Sequence, residues 1–178
     1  KFGSRENQLL APEKFFLKHE SVLNRGSLLD LACGDGRNSI YFARRGFDVT
    51  AVDFSDVALQ RLQRFAYGLS IMCIVEDVNS DFELGRQFDT IVVSHFKPEN
   101  ALLTKLAGWL KPGGTLAICT FSTLEHLHNG FSLKYCLAPR EFIEIEGLET
   151  IVYDSFIETH GTKDRYLNGY IFIKKDSL

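Results

Sequence analysis

A chain of 178 residues, 45% hydrophobic and 24% charged, has the length of one ordinary domain and the make-up of a globular protein. This excludes a mainly disordered chain, a collagen-like fibre and a disulfide-knotted miniprotein. Twenty Lys and Arg against 23 Asp and Glu leave a net charge of −3, which disfavours a nucleic-acid partner held by general electrostatic attraction and points to a small-molecule ligand.

Cys33, Cys73, Cys119 and Cys136 are far apart with no C-x-x-C pair, so neither metal-knuckle spacing nor a disulfide framework is expected, and a reducing cytoplasm fits best. No run of about 18 apolar residues is present, so no membrane span is predicted. The start, Lys1-Phe2-Gly3-Ser4, lacks Met and the apolar core of a signal peptide.

Residues 12–24 predict a helix, with Pro12 in its first turn, Phe15, Phe16, His19, Val22 and Leu23 at helical spacing, and Gly26 as its stop. Ser27–Ala32 is a short apolar run entering a Gly-rich turn, read as a buried strand. A helix over Arg37–Arg45 closes at Gly46, and a second strand, Phe47–Val52, ends at Asp53. Ser55 or Asp56 caps a helix to about Ala66. Ser70–Val75 and Phe88–Ser94 read as strands joined by a loop. Pro98 opens a helix to Leu110, stopped by Lys111-Pro112-Gly113-Gly114, and Thr115–Phe121 is the fifth strand. Pro139 starts a short helix that Gly147 ends. Thr150–Glu158 and Arg165–Lys174 are β-rich and joined by only about six residues, so they pair antiparallel, because a parallel crossover needs a dozen or more. The order predicts a doubly wound α/β fold with a mostly parallel seven-stranded sheet and an antiparallel C-terminal strand. Such sheets hold ligands at the carboxyl ends of their strands.

The turn Asp30-Leu31-Ala32-Cys33-Gly34-Asp35-Gly36-Arg37-Asn38-Ser39 sits where the first strand meets a helix. Gly34 and Gly36 permit close backbone approach and positive φ, and the helix start offers free N–H groups. A dinucleotide fingerprint requires a third glycine where Ser39 stands. Asp30, four residues before Gly34, would repel a pyrophosphate and suits a ligand carrying ammonium and sulfonium charges.

On these residues the chain resembles the class I S-adenosylmethionine-dependent methyltransferases. Gly36-Arg37-Asn38-Ser39 is similar to the tellurite-resistance branch, and Lys111-Pro112-Gly113-Gly114 is a further shared feature. The resemblance covers about Ser27 to Lys174. It implies a Rossmann-like fold, S-adenosylmethionine as cofactor and methyl transfer to a small molecule. Ala32 departs from the pattern, standing where many members carry the first glycine.

Asp53, 23 residues after Asp30, matches the acid that accepts from the ribose hydroxyls, with Phe54 placed to pack on the adenine. Of Glu76-Asp77-Val78, Asp77 is assigned to the adenine amino group and the Val78 N–H to the ring, with Glu76 the alternative acid. Ala32, Cys33, Gly34, Gly36, Asn38 and Ser94 complete the cofactor-binding set. Arg37 is assigned to the methionine carboxylate or a substrate anion, and Asp35 has no firm role.

His95, at the end of strand four, is the candidate catalytic base or substrate hydrogen-bonder. An Asn/Asp-Pro-Pro-aromatic motif is absent there, which lowers the expectation of nucleic-acid base methylation. Phe96, His128 and Tyr135 are assigned to the acceptor side, the long stretch 123–138 to a substrate lid, and Phe2, Phe15 and Phe16 to a cover over the cofactor. His126-x-His128 has no third ligand beside it, so no metal is expected.

The expected organisation is one domain over 1–178: a helical segment at 1–26, a cofactor-binding part at 27–121, and a substrate-side loop, helix and terminal hairpin at 122–178. The competing readings are a binding or regulatory protein of the same fold without turnover and an NAD-dependent oxidoreductase.

Overall fold

The computed structural model describes residues 8–176. Its strands are β1 (Ser27–Leu31), β2 (Asp48–Asp53), β3 (Ile71–Val75), β4 (Phe88–Ser94), β5 (Leu110–Phe121), β6 (Leu148–His160) and β7 (Lys163–Lys174). The helices are α1 (Lys14–Lys18), α2 (Arg37–Arg44), α3 (Asp56–Phe65), α4 (Asn100–Trp109) and α5 (Thr123–Asn129). The sheet has seven strands in the order β3-β2-β1-β4-β5-β7-β6. The first five are parallel, and β7 runs antiparallel to both β5 and β6. Parallel strands covered on both faces need near-continuous apolar sequence, and every residue of β1 is buried. The strand order reverses between β1 and β4, so the crevice beyond their carboxyl ends is where a ligand is expected.

Side chains alternate across the sheet. Leu29 and Leu31 join Leu103, Leu106, Trp109 and Phe172 on the α4 face. Leu28 joins Phe15, Phe16, Phe42 and Ile171 on the other. Asp30 therefore points to the same face as Leu28, toward α2, where a carboxylate needs a partner. Its Oδ2 accepts from Ser39 Oγ at 2.6 Å.

Several boundaries differ from expectation. The N-terminal helix is only α1, followed by a 3-10 turn at Glu20–Val22; His19 lies outside helical geometry at φ −111°. Phe15 and Phe16 are core residues, 2% and 0% exposed, packed on Phe156 and Phe42 rather than covering a cofactor, and Phe2 lies outside the described residues. No helix follows Pro139: Arg140 sits at φ 59°, which breaks helical geometry at once, and its N–H donates to the Tyr153 hydroxyl. A helix appears instead at α5. β5 starts early, with Leu110 opposite Phe88; the register then slips to Thr115 opposite Thr90, so Lys111–Gly114 bulges out. The terminal hairpin closes more tightly than expected, with β6 ending at His160 and β7 starting at Lys163.

Candidate active site

The turn after β1 is bent by three consecutive needs for left-handed backbone. Ala32 lies at φ 55°, Gly34 at 57° and Gly36 at 83°. For Gly36 the reason is also steric: a Cβ there would lie 2.3 Å from Cγ of fully buried Leu62. Ala32 occupies a conformation that costs an L residue about 1–2 kcal/mol. Ala32→Gly removes that cost but adds opposing backbone entropy to the unfolded chain, so the net expectation is stabilisation by up to about 1 kcal/mol, read as a rise of a few degrees in Tm.

Two carboxylates frame this turn. Asp53, 6% exposed, accepts the Gly34 N–H on Oδ2 at 2.8 Å and the Ser55 N–H on Oδ1 at 2.9 Å, tying the ends of β1 and β2 together. Asp30 is fully enclosed. Burial disfavours its charged form, and although the Ser39 hydroxyl and Arg37 oppose this, its pKa rises to about 7. Its Oδ1 has no hydrogen-bond partner among the described residues. Burial likewise pushes the Cys33 thiol up.

Around the rim, Phe54 is 76% exposed. The Glu76 N–H donates to the Asp53 carbonyl, and Asp77 Oδ1 accepts from the Asn79 N–H at 2.9 Å. Val78 is buried in the core. Asp35 pairs with buried Arg61 at 3.5 Å. Arg37 is turned toward the N-terminal segment. Its Nη1 donates to the Ala11 carbonyl, and its Nη2 to Ser94 Oγ at 3.0 Å and Glu13 Oε2 at 3.1 Å. Buried Asn38 accepts the Glu13 N–H at 2.8 Å.

Sequence reasoning missed Glu13. Its side chain is 1% exposed and its Oε2 lies 3.0 Å from His95 Nε2. Burial opposes its ionisation, but the hydrogen bond and charge of His95, with the charge of Arg37, outweigh this and pull its pKa to about 2. The only local signal was Pro12-Glu13 at a helix start; the partners are 24 to 82 residues away in sequence.

His95 has φ 54°, its N–H donates to the Cys119 carbonyl at 2.8 Å, and its ring packs on Phe121 at 4.7 Å. A non-glycine residue held in that region at a strand end is a frequent mark of functional sites. Beyond it opens a cleft of about 550 Å³ lined by His95, Phe96, Lys97, Phe131, Tyr135 and Phe142 among others, a size that suits a small molecule. Lys97 pairs with Glu141 at 2.7 Å. The lining thus brings together His95, Phe96 and Tyr135 but not His128, whose ring stacks on Tyr166 at 4.5 Å outside the cleft. His126 Nδ1 lies 2.7 Å from the Phe131 carbonyl. Among the described residues no group of three or more His, Cys, Asp or Glu is arranged to hold a metal. No helix there is long and apolar enough to cross a membrane.

A family model described as a methyltransferase domain matches residues 28–114, from β1 to the bulge of β5. TehB from Haemophilus influenzae superposes with a TM-score of 0.77 at 19% identity, covering 97% of this chain and 65% of that one. Over residues 28–114 and in fold, the chain resembles the S-adenosylmethionine-dependent methyltransferases. The methyltransferase NodS from Bradyrhizobium japonicum, solved with S-adenosyl-L-homocysteine, shares the fold over 97% of this chain and 96% of its own, with a TM-score of 0.72 and 18% identity. At such identities the likeness is one of fold. Among curated relatives, an uncharacterized methyltransferase of Mycobacterium tuberculosis is 36% identical over 107 residues, covering 58% of this chain and 54% of the relative. The demethylmenaquinone methyltransferase of Clavibacter sepedonicus is 35% identical over 140 residues, covering 74% and 57%. The chain therefore spans little more than half the length of these two curated relatives.

Proposed function

We propose that this chain binds S-adenosylmethionine over the β1 turn and transfers its methyl group to a small-molecule nucleophile by in-line displacement. The observation that carries the reading is Asp30: a fully enclosed carboxylate whose Oδ1 has no hydrogen-bond partner among the described residues, beneath a glycine turn at the point where the strand order reverses. A buried carboxylate without full hydrogen bonding is costly, and a cation held over the turn would favour its charged form through space. Asp53 retains lone pairs for ribose hydroxyls beside its two backbone bonds. Exposed Phe54 and the Glu76-Asp77-Val78 corner are assigned to the adenine, and Arg37, Asn38 and Ser94 to the wall of the methionine end.

The donor, when bound, supplies an activated methyl on a good leaving group. The chain has then to align the acceptor and exclude water. His95, Phe96 and Tyr135 are assigned to that task at the cleft.

A parallel thermal-shift series with S-adenosylmethionine, S-adenosylhomocysteine and NAD tests the reading. The first two are expected to raise Tm; a rise with NAD alone overturns it. Asp53→Ala is expected to weaken donor binding by roughly 1–3 kcal/mol, the scale of lost charge-assisted hydrogen bonds. Donor affinity of Asp53→Ala equal to wild type contradicts the assignment of the ribose site.

A further inference from the structure

The carboxylate that the N-terminal segment carries into the site is held from both sides. The Glu13 N–H is fixed by Asn38 Oδ1, and Phe15, two residues on, lies so close to Gly169 that a Cβ there would fall 2.4 Å from its ring. Three partners of the Glu13 carboxylate converge on Oε2: His95 Nε2 at 3.0 Å, Arg37 Nη2 at 3.1 Å and Ser94 Oγ at 3.3 Å. A carboxylate only accepts, so the ring nitrogen facing it must carry the proton. Arg37 Nη2 also lies 3.4 Å from His95 Nε2, but that contact is longer, and the guanidinium already donates to Glu13 and Ser94. The ring is further fixed by the left-handed backbone of His95 and by Phe121, and it lines the cleft.

We propose that Glu13 is a positioning residue that holds His95 in the Nε2-protonated tautomer, leaving Nδ1 as the base, and that the acceptor is therefore a protic hydroxyl or amine. This rests on the methyltransferase reading. A soft anion such as hydrosulfide arrives already deprotonated and gives a base nothing to do. With a protic acceptor, the O–H or N–H bond breaks and its proton passes to Nδ1. The acceptor atom forms its new bond to the donor methyl carbon, and the electron pair of the broken carbon–sulfur bond stays on sulfur. The imidazolium faces ionised Glu13, which stabilises it, and loses its proton to solvent before the next turnover.

The tautomer is read directly by long-range nitrogen–proton NMR of the nitrogen-15-labelled, ligand-free chain at pH 8. His95 is expected to carry its proton on Nε2, to lose that preference in Glu13→Gln and to recover it in Glu13→Asp. Wild-type His95 protonated on Nδ1, or a preference unchanged in folded Glu13→Gln, overturns the proposal. A second arm offers labelled S-adenosylmethionine with catechol, a primary amine or hydrosulfide. Turnover of catechol or the amine is expected, with kcat about 10²-fold lower in Glu13→Gln, the lower end of what a positioned base supplies. Turnover of hydrosulfide alone, equally fast in Glu13→Gln, overturns it as well. Failure of the wild-type chain to bind the donor in calorimetry would instead remove the methyltransferase reading, and the NMR result would still decide the tautomer.

Discussion

Gly36→Val is expected to destabilise the whole fold and not merely to close a ligand cradle. The residue sits at φ 83°, and its missing Cβ would lie 2.3 Å from Leu62 Cγ, inside the core shared by α2 and α3. Leu62 is 0% exposed, so relieving the clash means shifting packed core atoms. Left-handed strain for an L residue costs about 1–2 kcal/mol, and β-branching adds to it. Overpacking adds about 1–3 kcal/mol. Their sum is a large part of the roughly 5–15 kcal/mol by which domains are stable. Denaturant melts should therefore show a loss of about 3–5 kcal/mol, or no folded protein. A variant with wild-type stability would mean that the turn is not built as described. Gly34 too is left-handed, and its N–H is held by Asp53. A valine there strains the same turn in addition to crowding the ligand.

Asp30→Asn is expected to act in two opposite directions. With the carboxylate raised to about 7 from an ordinary 3.8, the folded protein keeps a proton on Asp30 that the unfolded chain releases between those values. Stability contributed by this group is therefore greatest at low pH and falls as pH rises through that window. At pH 8 the folded state holds a buried charge, and the asparagine variant, which removes it, should be more stable, by an amount on the order of a few kcal/mol. Donor affinity should move the other way. Loss of a charged acceptor weakens binding of a cationic group by roughly 1.5–3 kcal/mol, about 10- to 100-fold. Because the ionised form is the one that attracts the donor, wild-type affinity should rise as pH increases through about 7, and this slope should vanish in Asp30→Asn. Glu13 titrates in a separate window with the opposite sign. Its pKa is lowered from 4.5 to about 2, so its stabilisation is present above 4.5 and lost as pH falls toward 2. Melts of Asp30→Asn and Glu13→Gln across the pH range should thus flatten different limbs of the wild-type profile.

The parallel half of the sheet was legible because its inner strands β1 and β4 are buried on both faces, which forces apolar sequence such as Leu28-Leu29 and Ile91–Val93, and because Gly34 and Gly36 lie in left-handed backbone. Elements defined by single polar contacts were not. Helix α5 exposes Leu124 and Leu127, so it has no amphipathic stripe to read. What it buries is Glu125, which accepts from Asn129 Nδ2 and the Tyr166 N–H and pairs with Arg165. Proline and glycine at 139 and 147 framed a plausible helix, yet Arg140 turns left-handed to place its N–H on Tyr153, a contact 13 residues away in sequence. Glu13 was hidden for the same reason. Its role exists only once the N-terminal segment folds back onto Asn38, Arg37 and His95. His128 was assigned to the cleft from its place in a long connection, but stacking on Tyr166 turns it away.

Titration calorimetry of the folded chain with S-adenosylmethionine, repeated with S-adenosylhomocysteine, is the most direct measurement of whether the Asp30–Asp53 turn is a donor site. Saturable heat at one ligand per chain, markedly weakened in both Asp53→Ala and Asp30→Asn, is the predicted result. Absence of heat with either ligand, from protein that melts cooperatively, would contradict it.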